Sequence, residues 1–415
     1  MRTVDTTELR GRAARVAATA AALREMDVER IAEALGRAAA LIASAETDAG
    51  NEARALLPAS TALSTQMVDW ALAHQVAIVT PAALMRAAAA IAPSHAGDVP
   101  ACARLAVVVL AGNVFTAGLR AVALPLLARV PVVAKASSRD DVFPRILRAA
   151  LARTDPEVAE SLDVVTFTGG ATPLEDALFA QADVVSVFGS DTTLAEIRAR
   201  LPATTTFVPH GHGIGAVFVP ASALRDETAA AELADRVALD VAAFDQRGCL
   251  SPHAVWVERG STVPARELAR LIADRGLARL AGELPRGSLP TATGGAQVQW
   301  RGVAAARGEL FERDGYAVSW EGDGPLRLSP GWRNVSVLEC ADATDLGRRL
   351  APLGMHLKAL GVASDAAGRR VLAAHLPPPL APRVSAPGAM QTPPIDALAD
   401  GHSPWTGLVR WVEVG

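Results

Sequence analysis

The feature that most constrains this chain is a series of short valine-rich segments between residues 104 and 219, each followed by a helical stretch. The apolar segments lie at 105–110, 130–135, 163–167, 184–188 and 215–219, and helical periodicity occupies 117–129, 140–153, 172–181 and 191–201. They are continuous apolar runs rather than in-out alternations, the pattern of strands covered on both faces. Strand and helix in strict alternation predict a doubly wound parallel α/β sheet. Residues 220–415 repeat this grammar more loosely. A helix at 224–243 leads through the loop 244–252 into a strand at 253–258, and strands follow near 315–320, 334–339 and 357–363. Helical segments at 263–283, 341–353 and 365–374 separate them, and a proline-rich stretch at 377–394 leads to a last strand at 408–414.

Ahead of the alternating region, residues 7–45 carry alanine, leucine and isoleucine at helical spacing. Ser60 and Ser64 are read as caps of helical segments around 61–74 and 80–92, with 93–100 as the link onward. The break between the two α/β halves is placed at 209–215, where glycine, histidine and proline dominate.

Composition removes several function classes. Forty basic residues against 44 acidic leave no basic stripe for a nucleic acid. Three cysteines, Cys102, Cys249 and Cys340, are too few for a disulfide framework, and no metal-ligand spacing is present, so no metal is expected. The longest apolar stretches fall short of the roughly 20 residues that span a bilayer, so no integral membrane segment is expected. The charged N-terminus lacks the apolar core of a signal peptide, and a cytoplasmic location is the expectation. Of the basic residues only Lys135 and Lys358 are lysine, which marks Lys135 as a position where a compact ammonium is needed.

Chemistry concentrates in a few places. Cys249 sits in Phe244-Asp-Gln-Arg-Gly-Cys-Leu-Ser-Pro252, preceded by Gln246, Arg247 and Gly248. A nearby guanidinium or aligned N–H groups favour a thiolate, so a nucleophile competes with a structural cysteine there. Cys102 and Cys340 have apolar neighbours and read as core. Asn113 follows the first buried strand, where an amide either caps the next helix or donates to an oxyanion. Lys135 ends the second strand, placed to bind ribose or phosphate or to emerge into solvent. Glycine turns follow later strands at Gly169-Gly170 and Gly189-Ser190, neither of them a dinucleotide fingerprint on its own. His210 and His212, without a third ligand, read as turn residues.

Strand–Asn113, then Val-Val-Ala-Lys135, then Phe188-Gly-Ser190, then Cys249 is the order of the aldehyde dehydrogenase superfamily, which the chain resembles. The cysteine loop continuing to His253, the segment Ser329-Pro-Gly-Trp-Arg-Asn-Val335 and the segment Pro387-Gly-Ala-Met-Gln-Thr-Pro-Pro394 resemble the LuxC-type acyl-CoA (acyl-protein thioester) reductases. The N-terminal Thr61-Ala-Leu-Ser-Thr-Gln-Met67 fits as well, so the likeness spans nearly the whole chain.

The resemblance implies an aldehyde dehydrogenase-like fold of two doubly wound α/β lobes. Its regions would be a helical region at 1–95 packed on the cofactor lobe, a nucleotide-binding domain at 96–212 and a catalytic domain at 213–382. A return segment at 383–415 would hold an oligomerisation strand, and a homo-oligomer is expected by the same analogy. Cys249 corresponds to the nucleophile and Asn113 to the oxyanion donor. Lys135 and the residues after it correspond to the adenosine ribose site, and Gly189 with Ser190 to the turn under the pyrophosphate; Gly169 and Gly170 are counted with the cofactor residues. Hydrolytic aldehyde dehydrogenases carry a glutamate base at the lobe junction, whereas this chain has Pro209-His-Gly-His-Gly213. The lost carboxylate favours thioester reduction over hydrolysis to an acid. The expected substrates are acyl-CoA or an acyl carrier protein. Ser137, Ser138 and Arg139 stand where a glutamate would repel a 2′-phosphate, so the expected cofactor is NADPH, with NADH also usable. An acyl-phosphate reductase and a catalytically silent acyl-binding partner are the competing readings.

Overall fold

A computed structural model of the protein describes residues 5–91 and 99–414. The chain divides into two compact units. One comprises Met1–Thr61, Val68–Gly211 and Pro394–Gly415; the other comprises Ala62–Met67 and His212–Pro393.

In the first unit β1 (Val99–Cys102) stands apart from a parallel sheet of β2 (Ala106–Val109), β3 (Val132–Ala136), β4 (Leu162–Thr166), β5 (Val184–Phe188) and β6 (Thr206–His210). The strand order is β4-β3-β2-β5-β6, with every pair parallel. Leu105, Val107, Val133, Val165, Val185 and Val187 form its core together with Leu9, Ala13 and Val16 from the helix Thr6–Ala18. Each such fully buried Leu or Val side chain stabilises the unit by roughly 1.5–3 kcal/mol. A bidentate ion pair from Arg12 to Asp163 fixes that helix beside β4.

The periodic stretch at 7–45 breaks into three helices, Thr6–Ala18, Ala20–Glu25 and Val28–Ala43. Val28–Ala43 buries Ile31, Leu35 and Ile42 on one face. Asp48–Thr61 is a further helix, and it corrects the reading of Ser60 as a cap. Ser60 lies inside that helix, and its Oγ donates to Asp140 Oδ1 at 3.0 Å. Ser64 does cap, accepting the Met67 N–H at 3.2 Å.

The second unit contains β7 (Ile214–Val219), β8 (Pro252–Glu258), β9 (Glu309–Arg313), β10 (Tyr316–Trp320), β11 (Asn334–Cys340), β12 (Leu357–Val362) and β13 (Arg383–Ser385). Their order is β13-β12-β7-β8-β11-β10-β9, and only the β9–β10 pair is antiparallel. Trp256, Leu338, Cys340, Leu346 and Leu360 pack one face.

Several elements escape the sequence reading, three of them for plain physical reasons. β6 is an edge strand carrying Pro209 and polar residues, so it lacks the valine run. The helix Thr291–Arg307 is obscured by Gly294, Gly295 and Gly302. β9 is a charged edge strand. The last strand, β14 (Val409–Val412), belongs to the first unit and pairs antiparallel with β1 of the same chain, Val99 opposite Val412. Among the described residues no single helix is long and apolar enough to cross a membrane; one pair, Thr65–Val76 and Pro81–Ala89, passes only together and is bent by 51°.

Candidate active site

In the first unit the strand order reverses between β2 and β5, and parallel register puts the C-terminal ends of β2, β3 and β5 on one edge. Val109 lies opposite both Lys135 and Val187. Such a switch point forms a ligand crevice. Asn113, Lys135, Ser137, Gly189 and Ser190 all follow from these three strand ends. Asn113 is exposed, and the next helix, Ala117–Leu127, starts from Thr116, so Asn113 stands three residues ahead of the cap position.

Lys135 is buried to 5 % exposure with its ammonium 5.2 Å from the centre of the Phe167 ring. Burial pushes its pKa down, while Glu175 pulls it up. Gly169 lies close to it, since a Cβ there would sit 3.8 Å from Lys135 Nζ. Gly170 has φ +79 with open space around it, a conformation that favours glycine. Ser137 Oγ accepts the Arg139 N–H at 3.2 Å, while Ser138 and Arg139 are exposed. The helix behind them begins at Val142 rather than near 140, so Ser137 and Ser138 do not cap it. Ser190 caps the helix Asp191–Arg198, accepting the Thr193 N–H at 3.2 Å.

His210 is a strand residue, which corrects the turn assignment. It ends β6, stacks on Phe188 with ring centres 4.1 Å apart, and its Nε2 lies 3.0 Å from Ser186 Oγ. In the other unit the His212 carbonyl lies 3.0 Å from His356 Nδ1. Among the described residues no group of three or more His, Cys, Asp or Glu is arranged to hold a metal ion.

The second unit carries Cys249, which is exposed. It lies in a turn between the helix Glu227–Ala242 and β8, closed by the Ser251 N–H donating to the Gly248 carbonyl at 3.1 Å. Phe244, Asp245 and Gln246 just before it are all left-handed, with φ of 52, 54 and 59. For non-glycine residues that conformation costs roughly 1–2 kcal/mol each. Buried polar contacts offset the strain. Asp245 accepts from Arg333 and from the Gly287 N–H at 3.0 Å. Gln246 bonds Pro252 and Asn334.

Arg247, expected near the thiol, donates to the Phe244 carbonyl at 3.2 Å and lies over the Trp332 ring at 5.2 Å. Burial pushes its pKa down, against the pull of Asp245. Trp332 and Arg333 are themselves left-handed at φ 57 and 65, so two strained segments meet at this turn. His253 Nδ1 lies 2.9 Å from Ser329 Oγ, and burial pushes its pKa down to about 4.

Behind the cysteine turn, Asp240 is fully buried and accepts the N–H groups of Gly388 at 2.5 Å and Met390 at 3.0 Å. Met390 reaches back to β7, because a Cβ on Gly215 would lie 2.9 Å from its methyl and 2.4 Å from the Leu250 carbonyl oxygen. The Met390-Gln391 segment and the Cys249 loop are thus neighbours. Asp240, Asp245 and Asn334 were given no role of their own from sequence, since each resembles an ordinary surface polar residue until its burial is known.

Comparison with known proteins follows this geometry. The profile of the acyl-CoA reductase (LuxC) family matches residues 93–411. No curated protein matches. Among solved structures, an NAD-dependent aldehyde dehydrogenase from Sinorhizobium meliloti is similar at TM-score 0.73 and 14% identity, over 99% of this chain and 87% of that one. Aldehyde dehydrogenase 21 from Physcomitrella patens, in complex with the reaction product succinate, is similar at TM-score 0.72 and 13% identity, over 99% and 90%. A proline utilization A variant from Bradyrhizobium japonicum gives TM-score 0.71 and 16% identity over 99% of this chain, which spans 45% of that protein. At these identities the likeness establishes the aldehyde dehydrogenase fold.

Proposed function

Because the chain belongs to the acyl-CoA reductase (LuxC) family, we propose that it reduces a fatty acyl thioester to the aldehyde through an acyl thioester on Cys249. The observation that carries this reading is an exposed cysteine at the centre of a turn whose flanking backbone is held in a strained conformation by buried polar contacts. Strain of this kind persists where surrounding structure over-determines it, typically at functional sites.

The Cys249 thiolate attacks the carbonyl carbon of acyl-CoA or of an acyl carrier protein. A C–S bond forms, the carbonyl electrons move to oxygen, and the Cys249 backbone N–H stabilises the oxyanion; the family resemblance assigns a second donor to the Asn113 amide. Collapse expels the carrier thiolate, which takes a proton from solvent. A reduced nicotinamide dinucleotide supplies the hydride when bound. Afterwards the Cys249 sulfur leaves as thiolate and the aldehyde is released.

The crevice at the β2–β5 switch fits such a cofactor. Lys135 supplies a buried cation there, and Gly169 and Gly170 leave room above it. Ser190 sits at the start of the helix Asp191–Arg198. Ser137, Ser138 and Arg139 offer hydroxyls and a guanidinium to a 2′-phosphate, which favours NADPH.

Mass spectrometry of the protein after dodecanoyl-CoA treatment tests the proposal. An acyl adduct on Cys249 that NADPH discharges as aldehyde is the expected result. An adduct that forms only from an acyl phosphate would point to the alternative reductase, and no adduct would leave a binding role.

A further inference from the structure

We propose that Gln246 is a positioning residue for acyl transfer, its carboxamide holding the turn that presents Cys249; the inference rests on Cys249 being the nucleophile. Gln246 lies three residues before the cysteine and is 2 % exposed. Its Nε2 donates to the Pro252 carbonyl at 2.7 Å and to the Asn334 carbonyl at 2.8 Å. Its Oε1 accepts the Asn334 N–H at 2.8 Å. The two bonds to Asn334 copy a β-ladder pair, so the side chain forms an extra rung at the start of β11. The bond to Pro252 spans the turn, tying the residue that enters it to the residue that leaves it.

The far side of the turn is fixed as well. The Ser251 carbonyl accepts the Gly215 N–H at 2.8 Å. The Leu250 carbonyl lies so close to Gly215 that a Cβ there would clash with it at 2.4 Å. With β7 blocking one direction, the carboxamide restrains the other. Asn334 is itself held, its Nδ2 donating to Gly331 at 2.7 Å and its Oδ1 accepting from Arg301 at 2.9 Å. The clamp therefore connects the turn to β8 and β11 through one buried side chain.

Acyl transfer places two demands on this turn. Cys249 Sγ must approach the carbonyl carbon while the Cys249 N–H points at the developing oxyanion. Alkylation of the same thiol by a small flexible reagent makes only the first demand. The two reactions therefore separate positioning from thiol availability.

The test uses the full-length protein carrying Gln246→Glu or Gln246→Met. The glutamate keeps the acceptor for Asn334 but sets an oxygen against two carbonyls; the methionine keeps length and removes every hydrogen bond. Acylation of Cys249 by dodecanoyl-CoA should slow on the order of 100-fold in both, while alkylation by iodoacetamide changes less than about threefold. In Gln246→Glu the acylation rate relative to wild type should recover as pH falls, because a protonated carboxyl regains a donor. Should Gln246→Met not fold, the near-isosteric Gln246→Glu carries the test.

Acylation at the wild-type rate in a folded variant overturns the proposal. So does an equal fall in acylation and alkylation, which marks a role in thiol access alone. A wild-type protein that is alkylated but never acylated on Cys249 overturns the nucleophile reading and this inference with it, and that result is visible before any variant is made.

Discussion

The Arg333 guanidinium closes on the Asp245 carboxylate, Nη2 to Oδ1 at 2.7 Å and Nε to Oδ1 at 3.1 Å, with both side chains out of solvent. Arg333 also donates to the Leu284 carbonyl at 2.7 Å. Each partner is a left-handed residue, so the pair joins the two strained segments around the cysteine turn. Burial pushes the Arg333 pKa down and Asp245 opposes it. Removing one partner leaves the other as an uncompensated buried charge. Asp245→Asn should cost about 3–5 kcal/mol, read from the urea unfolding midpoint. A loss below about 1 kcal/mol would show that the pair is dispensable to the fold.

Cys249→Ala should abolish aldehyde formation while leaving the fold and dinucleotide binding intact. Its neighbours hold the turn through backbone and carboxamide groups. Cys340 is buried in the sheet core, with its thiol pushed up to about 12 by burial. Cys340→Ala and Cys102→Ala should therefore stay active, with at most a stability loss. Aldehyde production by the Cys249→Ala protein at the wild-type rate would end the covalent mechanism.

For Asn113 the expected defect is kinetic. Losing one oxyanion donor typically slows acyl chemistry by ~100–1000-fold. Asn113→Ala should slow acyl-enzyme formation by that order with little change in cofactor affinity, measured by quenched single turnovers. An unchanged acylation rate would remove Asn113 from the oxyanion site.

The sheets were legible where burial on both faces forces valine runs: β2, β3 and β5 carry nothing but their own pattern as evidence, and all three form. Edge elements were not, because half-exposed β6 and charged β9 obey no such pattern. Gln246 and Arg247 were visible as neighbours of Cys249, yet their roles depend on a left-handed backbone that no residue type announces. Asp245 and Arg333 are 88 residues apart in sequence, and only the packing of β8 against β11 joins them.

The proposed preference for NADPH rests on the segment after β3. Ser138 and Arg139 are exposed, and Ser137 holds the local turn. Ser138→Glu should weaken NADPH far more than NADH, because a carboxylate repels a 2′-phosphate dianion and accepts from ribose hydroxyls. Titrations with both dinucleotides check this. A wild-type kcat/KM higher with NADH would sink the NADPH assignment.

The last prediction concerns two buried groups whose proton linkages oppose each other. Burial pushes the Asp240 pKa up to about 7, against the N–H groups of Gly388, Met390 and Gln391. Burial also pushes His253 down to about 4, with the Ser329 carbonyl opposing and His212 adding to the fall. For His253 the folded value lies below the unfolded one of about 6.5, so its contribution is present above that pH and is lost as pH falls toward 4. For Asp240 the folded value lies above the unfolded one, so its contribution is present below about pH 4 and is lost as pH rises toward 7. Between about pH 4 and 6.5 the unfolded chain binds the histidine proton while the folded chain keeps the aspartic proton, and the two slopes cancel. Asp240→Asn should unmask the histidine, making stability rise with pH relative to wild type by up to about 1.4 kcal/mol per pH unit. His253→Gln should tilt the same window the other way. Other titrating groups are common to all three proteins and drop out of the difference. Urea unfolding at about pH 4.5 and 6.5 reads the slopes. Tilts of the same sign in both variants would mean that at least one of these groups titrates on the other side of its unfolded value.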